Sequence, residues 1–494
     1  MRSLLIRLSA VALCLALFAS DAAAEAALSP DEIASVDKLV RKALGESGVP
    51  SASVAIVRDG QIAFAKAYGL RRLDPREAAT PQTRYRIASV SKQFTAAAVL
   101  MLVDERQVSL DDPVAAYLPE IKPNSATVRQ TLSHTAGFAN FWAVDYVAPA
   151  LMSPTTPQAI VDRWGATQPD FAPGSKWNYS NTGYAVLGRL VERRTGRSLA
   201  NFLQGRVFNR LGMTSAADMD GRPPGPNDAR GYTRAALGPP REATALAAGW
   251  TFGAGELAMT AGDLARWDIS ILDRDLLSSA SYDAQARESK LTNGDATGYG
   301  LGMFVDRSGG HRRLRHNGDL PGFWTENRVY PDDRAAIVVM TNGSYGASPH
   351  AVIANGIETV LLGSRVAPPD SPPTPGQIVG LIYNGIKNGS LDRSGFTPSL
   401  DAYLSGQTLA DYRASFQELG DPLDFTPVGN DQSDHLSSHT WIGTWANAKL
   451  AITLKLRSDG KIEEFYALPV WQSGTNPRPL SSSSAAPAPA RPGS

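Results

Sequence analysis

Three short stretches of this chain hold residue types suited to acyl transfer. Ser89-Val90-Ser91-Lys92 sets a hydroxyl and an amine three positions apart. On a helix those positions share a face. A serine hydroxyl is a poor nucleophile until an adjacent base takes its proton. A partly desolvated lysine has a lowered pKa and can be that base. A helix start also points N–H groups toward a developing oxyanion. The same pattern occurs at Ser35–Lys38 and Ser458–Lys461. Ser35 sits in a polar helix with Asp37 between the partners, and Ser458 falls in a predicted hairpin turn. Only Ser89 stands where an extended run gives way to a helix with an apolar face (Phe94, Ala97, Leu100, Val103).

The second stretch is Tyr179-Ser180-Asn181. Tyr179 can share a proton with Lys92, and Asn181 can orient both the lysine and a substrate amide. Alone, it reads more readily as a turn tyrosine with a helix-capping asparagine. The third is His316-Asn317-Gly318, between two strand-like runs. Glycine there lets a substrate lie against a strand edge. The N–H of Asp319 would then be a second oxyanion donor beside that of Ser89. Alone, this is an ordinary strand histidine with a turn glycine.

Composition excludes several other classes. The 494 residues carry 48 Lys+Arg and 48 Asp+Glu, a formal charge of zero, which argues against a nucleic-acid partner. The single cysteine, Cys14, removes disulfide frameworks, thiolate metal sites and Fe–S clusters. His435 and His439 lie four apart but lack the HExxH pattern. No metal or organic cofactor is implied. His134 with Asp111 or Asp112 offers a Ser-His-Asp reading, but no G-x-S-x-G elbow surrounds Ser89.

The elements that must position these residues follow from periodicity. Residues 1–24 have a basic start (Arg2, Arg7), a short apolar run from Leu8 to Ser20, and Ala22 and Ala24 as a cleavage signal. The run is shorter than the ~18–20 residues needed to span a bilayer. The expectation is a signal peptide, a periplasmic or secreted mature chain, and no membrane span after its removal. A helix is expected from Pro30 to Leu44, then strands Ser51–Arg58 and Gln61–Leu70 around Asp59-Gly60. Strand runs return at Arg312–His316, Phe323–Tyr330 and Ala335–Thr341, with a helix at Pro349–Leu362. The expected fold class is α+β: one antiparallel sheet from both chain ends, flanked by helices, plus an all-helical lobe. This unit spans 25–366. A proline-rich linker (367–376) leads to a small α+β unit (377–470), with helices Gln377–Lys387 and Thr408–Leu419 and a closing hairpin. A disordered tail is expected at 471–494.

The stretches Ile87–Ala96, Tyr179–Asn181 and His316–Gly318 together resemble the serine β-lactamase-related family. That family includes class C β-lactamases, D-aminopeptidases, D,D-carboxypeptidases and related esterases. Leu110–Pro113, Leu132–Gly137, Gly253–Leu257 and Tyr299–Gly302 are also similar to it. The resemblance runs from about residue 30 to 362. It implies a β-lactamase/transpeptidase-like fold and a penicillin-recognising serine hydrolase forming an acyl-serine. Ser89 would be the nucleophile, Lys92 and Tyr179 the acid–base pair, and Asn181 with His316, Asn317, Gly318 and Asp319 the substrate-binding set. Members strong against β-lactams carry lysine where His316 stands, and His316 is a weaker, pH-dependent cation. His134 would hold a loop. The expected substrate is a D-amino acid peptide, a small ester or a β-lactam. The alternative is a penicillin sensor or scaffold that does not turn over. Loops 139–175 and 210–250, with Trp142, Tyr146 and Trp250, would set specificity. Oligomeric state is left open.

Overall fold

A computed structural model describes residues 27–469, apart from 143–147, 236–237, 347, 364–374, 434–435, 447 and 458–459. The expected signal peptide, the tail and most of the linker lie outside the described residues, as do Tyr146, His435 and Ser458. Helix α1 (Pro30–Ser47) starts on a capping box between Ser29 and Glu32 and ends at left-handed Gly48. Strands β1 (Ser51–Arg58) and β2 (Gln61–Arg72) turn on Asp59 and Gly60, both at positive φ. Residues Glu77–Ala78 (β3) extend this edge. From the far end of the chain come β4 (Phe304–Ser308), β5 (His311–Leu320), β6 (Phe323–Tyr330) and β7 (Ala335–Thr341).

These form one seven-stranded antiparallel sheet, in the order β3-β2-β1-β7-β6-β5-β4. The two chain ends meet where β1 pairs with β7, Val54 opposite Val339. The strands between are buried on both faces, so β1 and β7 are nearly continuous apolar runs. One face is covered by α1 and α5 (Pro349–Leu362), through Val36, Val40, Ile337, Ile353 and Ile357. The other is covered by α2 (Ser91–Asp104) and α4 (Ala261–Asp273). Every residue of α2 from Ser91 to Leu102 is buried. The apolar stripe expected there is a helix enclosed on all sides.

The middle of the chain adds helix α3 (Asn181–Thr195), which packs on α2. The all-helical expectation for this lobe is corrected: Leu257–Met259 pairs with Tyr85–Arg86 and Ala217–Asp218 in a three-stranded sheet, and Tyr232–Thr233 pairs with Arg241–Glu242. These strands have two or three residues, too few for an alternation to show.

Residues from Pro375 onward fold as α6 (Pro375–Asn388), α7 (Pro398–Tyr403), α8 (Gly406–Leu419) and a four-stranded sheet. Its strands are β8 (Asp424–Ser433), β9 (Leu436–Thr444), β10 (Lys449–Arg457) and β11 (Ile462–Pro469). A separate apolar cluster holds them, including Val379, Tyr383, Phe416, Trp445 and Phe465. The first two strands were not expected, because their residues are mostly polar. Among the described residues no helix is long and apolar enough to cross a membrane.

Candidate active site

Ser89 lies in the 3₁₀ turn Ala88–Val90 that leads into α2. Ala88 has φ 51°, a conformation that costs a non-glycine residue energy and is held by its surroundings. Ser89 is half-buried, whereas Lys92, one turn along, is fully buried. Lys92 Nζ lies 3.1 Å from Ser89 Oγ, 2.8 Å from Asn181 Oδ1 and 2.9 Å from the Ala254 carbonyl. Burial lowers its pKa to about 7, with Glu256 pulling weakly the other way.

Those three partners fix where the amine is basic. A carbonyl and an amide oxygen only accept hydrogen bonds. A neutral lysine therefore gives its two N–H groups to Asn181 and Ala254. Its lone pair is left facing the Ser89 hydroxyl. The amide orientation of Asn181 is itself fixed. Asn140 donates from Nδ2 to the Trp142 carbonyl at 2.5 Å, so its oxygen accepts from the Asn181 N–H at 3.1 Å and from Asn181 Nδ2 at 3.3 Å.

Tyr179 closes the group. Its ring lies 4.7 Å from Lys92 Nζ, and its hydroxyl interacts with Ser89. Burial pushes the phenol well above its ordinary pKa, and Ser89 pulls it back in part. Such a phenol keeps its proton at neutral pH. His134 holds it in place. The imidazole Nδ1 accepts from the Ser180 N–H at 3.1 Å, and the ring lies 4.3 Å from that of Tyr179. His134 is not part of a charge triad, because Asp111 pairs with Arg129 and Asp112 accepts from Tyr117.

On the facing side, β5 runs past the Ser89 turn. Its pairing with β4 ends at Arg315 opposite Phe304. Ser89, Tyr179, Asn181, His316, Asn317 and Asp319 line one cavity of about 1100 Å³. Trp142 and Trp250 line it as well. The site expected from three separate stretches is thus brought together, and Gly318 abuts the turn itself. Two expectations change. His316 is not a cation: burial, then the Lys92 charge, lowers its pKa to about 3. Tyr299 Oη lies 3.1 Å from its Nε2, and the Asn317 carbonyl lies 2.6 Å from its Nδ1. A neutral Nδ1–H tautomer satisfies both. Gly318 is required by backbone contact with the Ser89 turn, whatever a substrate adds.

The Ser35 pattern is excluded by place, since Ser35 is exposed on α1 and Asp37 is tied to Lys66 and Tyr68. Asn140, the Ala254 carbonyl, Tyr299 and Glu256 were not singled out from sequence. Asn140 follows Leu132–Gly137 by three positions, and Ala254 and Glu256 lie inside Gly253–Leu257. Both stretches carry the resemblance but no assigned role.

The fold is that of the β-lactamase-related family. The Beta-lactamase family model matches residues 36–360, and the chain belongs to that family. A D-aminopeptidase from Brucella anthropi is 30% identical over 347 residues, covering 67% of this chain and 64% of that protein. The chain thus spans a little under two thirds of that relative. A D-stereospecific amidohydrolase from Streptomyces sp. matches in structure with TM-score 0.57 and 26% identity, covering 67% of this chain and 99% of that one. The octameric penicillin-binding protein homologue from Pyrococcus abyssi, at 19% identity and TM-score 0.57, covers 86% of this chain and 96% of that one, a likeness of fold.

Proposed function

We propose that this chain hydrolyses amide or ester bonds of small D-amino acid derivatives through an acyl-serine intermediate. The observation that carries it is Lys92 Nζ, 3.1 Å from Ser89 Oγ and held by two partners that can only accept. Neutral Lys92 takes the Ser89 proton as Oγ attacks the substrate carbonyl. The oxyanion is met by the N–H groups of Ser89 and Asp319. The proton passes through Tyr179 to the leaving group. Water then enters, gives its proton to the same pair, and releases the acid. Asn181 and the β5 edge from His316 to Asp319 hold the substrate amide.

The preference for D-amino acid derivatives rests on the names of the relatives, D-aminopeptidase and D-stereospecific amidohydrolase. A neutral His316 is a poor anchor for a β-lactam carboxylate, which disfavours that substrate. Export is part of the proposal, supported by the character of residues 1–24. The test is labelling with a fluorescent fluorophosphonate, together with turnover of a chromogenic short ester, in wild type, Ser89→Ala and Ser35→Ala. Loss of both signals in Ser89→Ala alone supports the reading. Labelling without turnover in wild type points to a sensor. Full activity in Ser89→Ala overturns the site.

A further inference from the structure

The strand beside Ser89 borders a second cavity. Asn317, Asp319 and Trp324 line both the Ser89 cavity and a smaller one of about 200 Å³. Side chains alternate across a strand. On β5, Gly318 meets the Ser89 turn and His316 lines the Ser89 cavity. Arg313, Arg315, Asn317 and Asp319 belong to the opposite face, where the smaller cavity lies. Its far walls are the start of α5 and, from β8, Pro427 and Val428.

Two features describe what this cavity suits. His350 lines it, is 8% exposed, and has a buried Nδ1 without a hydrogen-bond partner. Its ring lies 5.0 Å from that of Trp324. The guanidinium groups in the wall are already matched. Arg313 bonds Asp306 and Glu358, Arg315 bonds Asp306, and Arg328 bonds Glu326 and Glu358. Beside these pairs the wall holds neutral hydrogen-bonding groups, His350, Asn317, Ser348 and Asn355, and the Asp319 carboxylate, with Trp324 and Val428 as apolar sides.

A peptide of uniform hand that adds to the β5 edge sends successive side chains to opposite faces of the sheet. With one residue in the Ser89 cavity, its neighbour is carried to the smaller one. We propose that the smaller cavity is a subsite for the residue next to the scissile bond of a peptide substrate. It takes an uncharged side chain ending in an amide or hydroxyl, bonded to His350. The inference rests on the hydrolase reading above and extends it from small derivatives to dipeptides.

The probes are D-Ala-D-Gln and D-Ala-D-Leu, with D-alanine p-nitroanilide as the reference that lacks a second residue. Turnover is measured in wild type, His350→Phe, which keeps a ring on Trp324, and Val428→Trp, which fills the cavity. Binding of both dipeptides is measured by calorimetry in Ser89→Ala with and without each change. One hydrogen bond predicts about a fivefold preference for D-Gln in kcat/KM and in binding. That ratio collapses toward one in both variants, whose melting curves report that they are folded. The proposal is overturned if D-Gln is no better than D-Leu, or if the ratio survives in both variants. If wild type cleaves no probe but Ser89→Ala still prefers D-Ala-D-Gln through His350, the hydrolase reading fails and the subsite stands.

Discussion

Gly318 lies so close to Ile87 that an added Cβ would fall 2.1 Å from the Ile87 carbonyl oxygen and 3.1 Å from Ala88 Cβ. This is where the edge of the sheet touches the turn that presents Ser89. Two segments far apart in sequence are thus set against each other by backbone contact, with no side chain between. The distance between Ser89 and the strand edge follows from this contact.

Gly318→Ala must therefore push β5 off the turn or distort Ala88 further. A displacement of about 1 Å between reacting groups lowers rates by roughly 10²-fold. The expected result is a fall of that size in kcat/KM for a short ester, with a lower melting temperature. A variant with full activity would mean that the strand does not set the reacting geometry.

Lys92 must be neutral to accept the Ser89 proton, and burial brings its pKa down to about 7. Deprotonation turns the base on, so kcat/KM should rise as pH passes about 7 and level off above. Lys92→Arg keeps the positive charge across this range and should lose about 10²–10⁴ in rate. The check is a pH–rate profile on wild type beside single-turnover rates of the variant. A wild-type profile flat from pH 5 to 9 would remove the lysine from the proton path.

Histidines held neutral by burial, His134, His316 and His350 among them, make the fold sensitive to acid. Burial lowers His316 to about 3 and His350 to about 4, and puts His134 well below the ordinary value of 6.5. In the unfolded chain each binds its proton near 6.5. Stability from these groups is complete above that value and is lost as pH falls from 6.5 toward 4. Calorimetric melting temperatures should drop over this window. In His350→Phe the drop should be shallower, and an identical slope would argue that His350 is charged in the fold.

The sheet and its flanking helices were legible because their signals are local. Phe323–Tyr330, Ala335–Thr341 and Pro349–Leu362 have the same limits in the structure as in the pattern. Ser89 with Lys92, and Tyr179 with Asn181, were legible as two short spacings, and the structure brings the two pairs together. Other features depend on contacts between distant segments. That Gly318 answers to Ile87 cannot be seen from His316-Asn317-Gly318, where substrate approach explains a glycine equally well. The neutrality of His316 arises from burial and from Lys92, and residue type alone suggests the reverse. Strands β8 and β9 escaped notice because Asn430, Asp431, Ser437 and Ser438 break the apolar alternation.

Glu256 adds a titratable group behind the site that the proton path does not use. It is 3% exposed, accepts from the Gly255 N–H at 3.1 Å, and follows by two positions the carbonyl that Lys92 holds. Burial, with Asp218 beside it, raises its pKa from 4.5 to about 8. The folded chain therefore holds a proton that the unfolded chain releases above 4.5. Stability from this group is complete below 4.5 and is lost as pH rises toward 8. Glu256→Gln removes that loss, so its melting temperature should match wild type at pH 4.5 and exceed it at pH 8. At the rising limb near pH 7 Glu256 still holds most of its proton, so the same variant should leave the position of that limb nearly unchanged. A limb displaced to lower pH in the variant would mean that Glu256 is already ionised at pH 7 and overturn this order of titration.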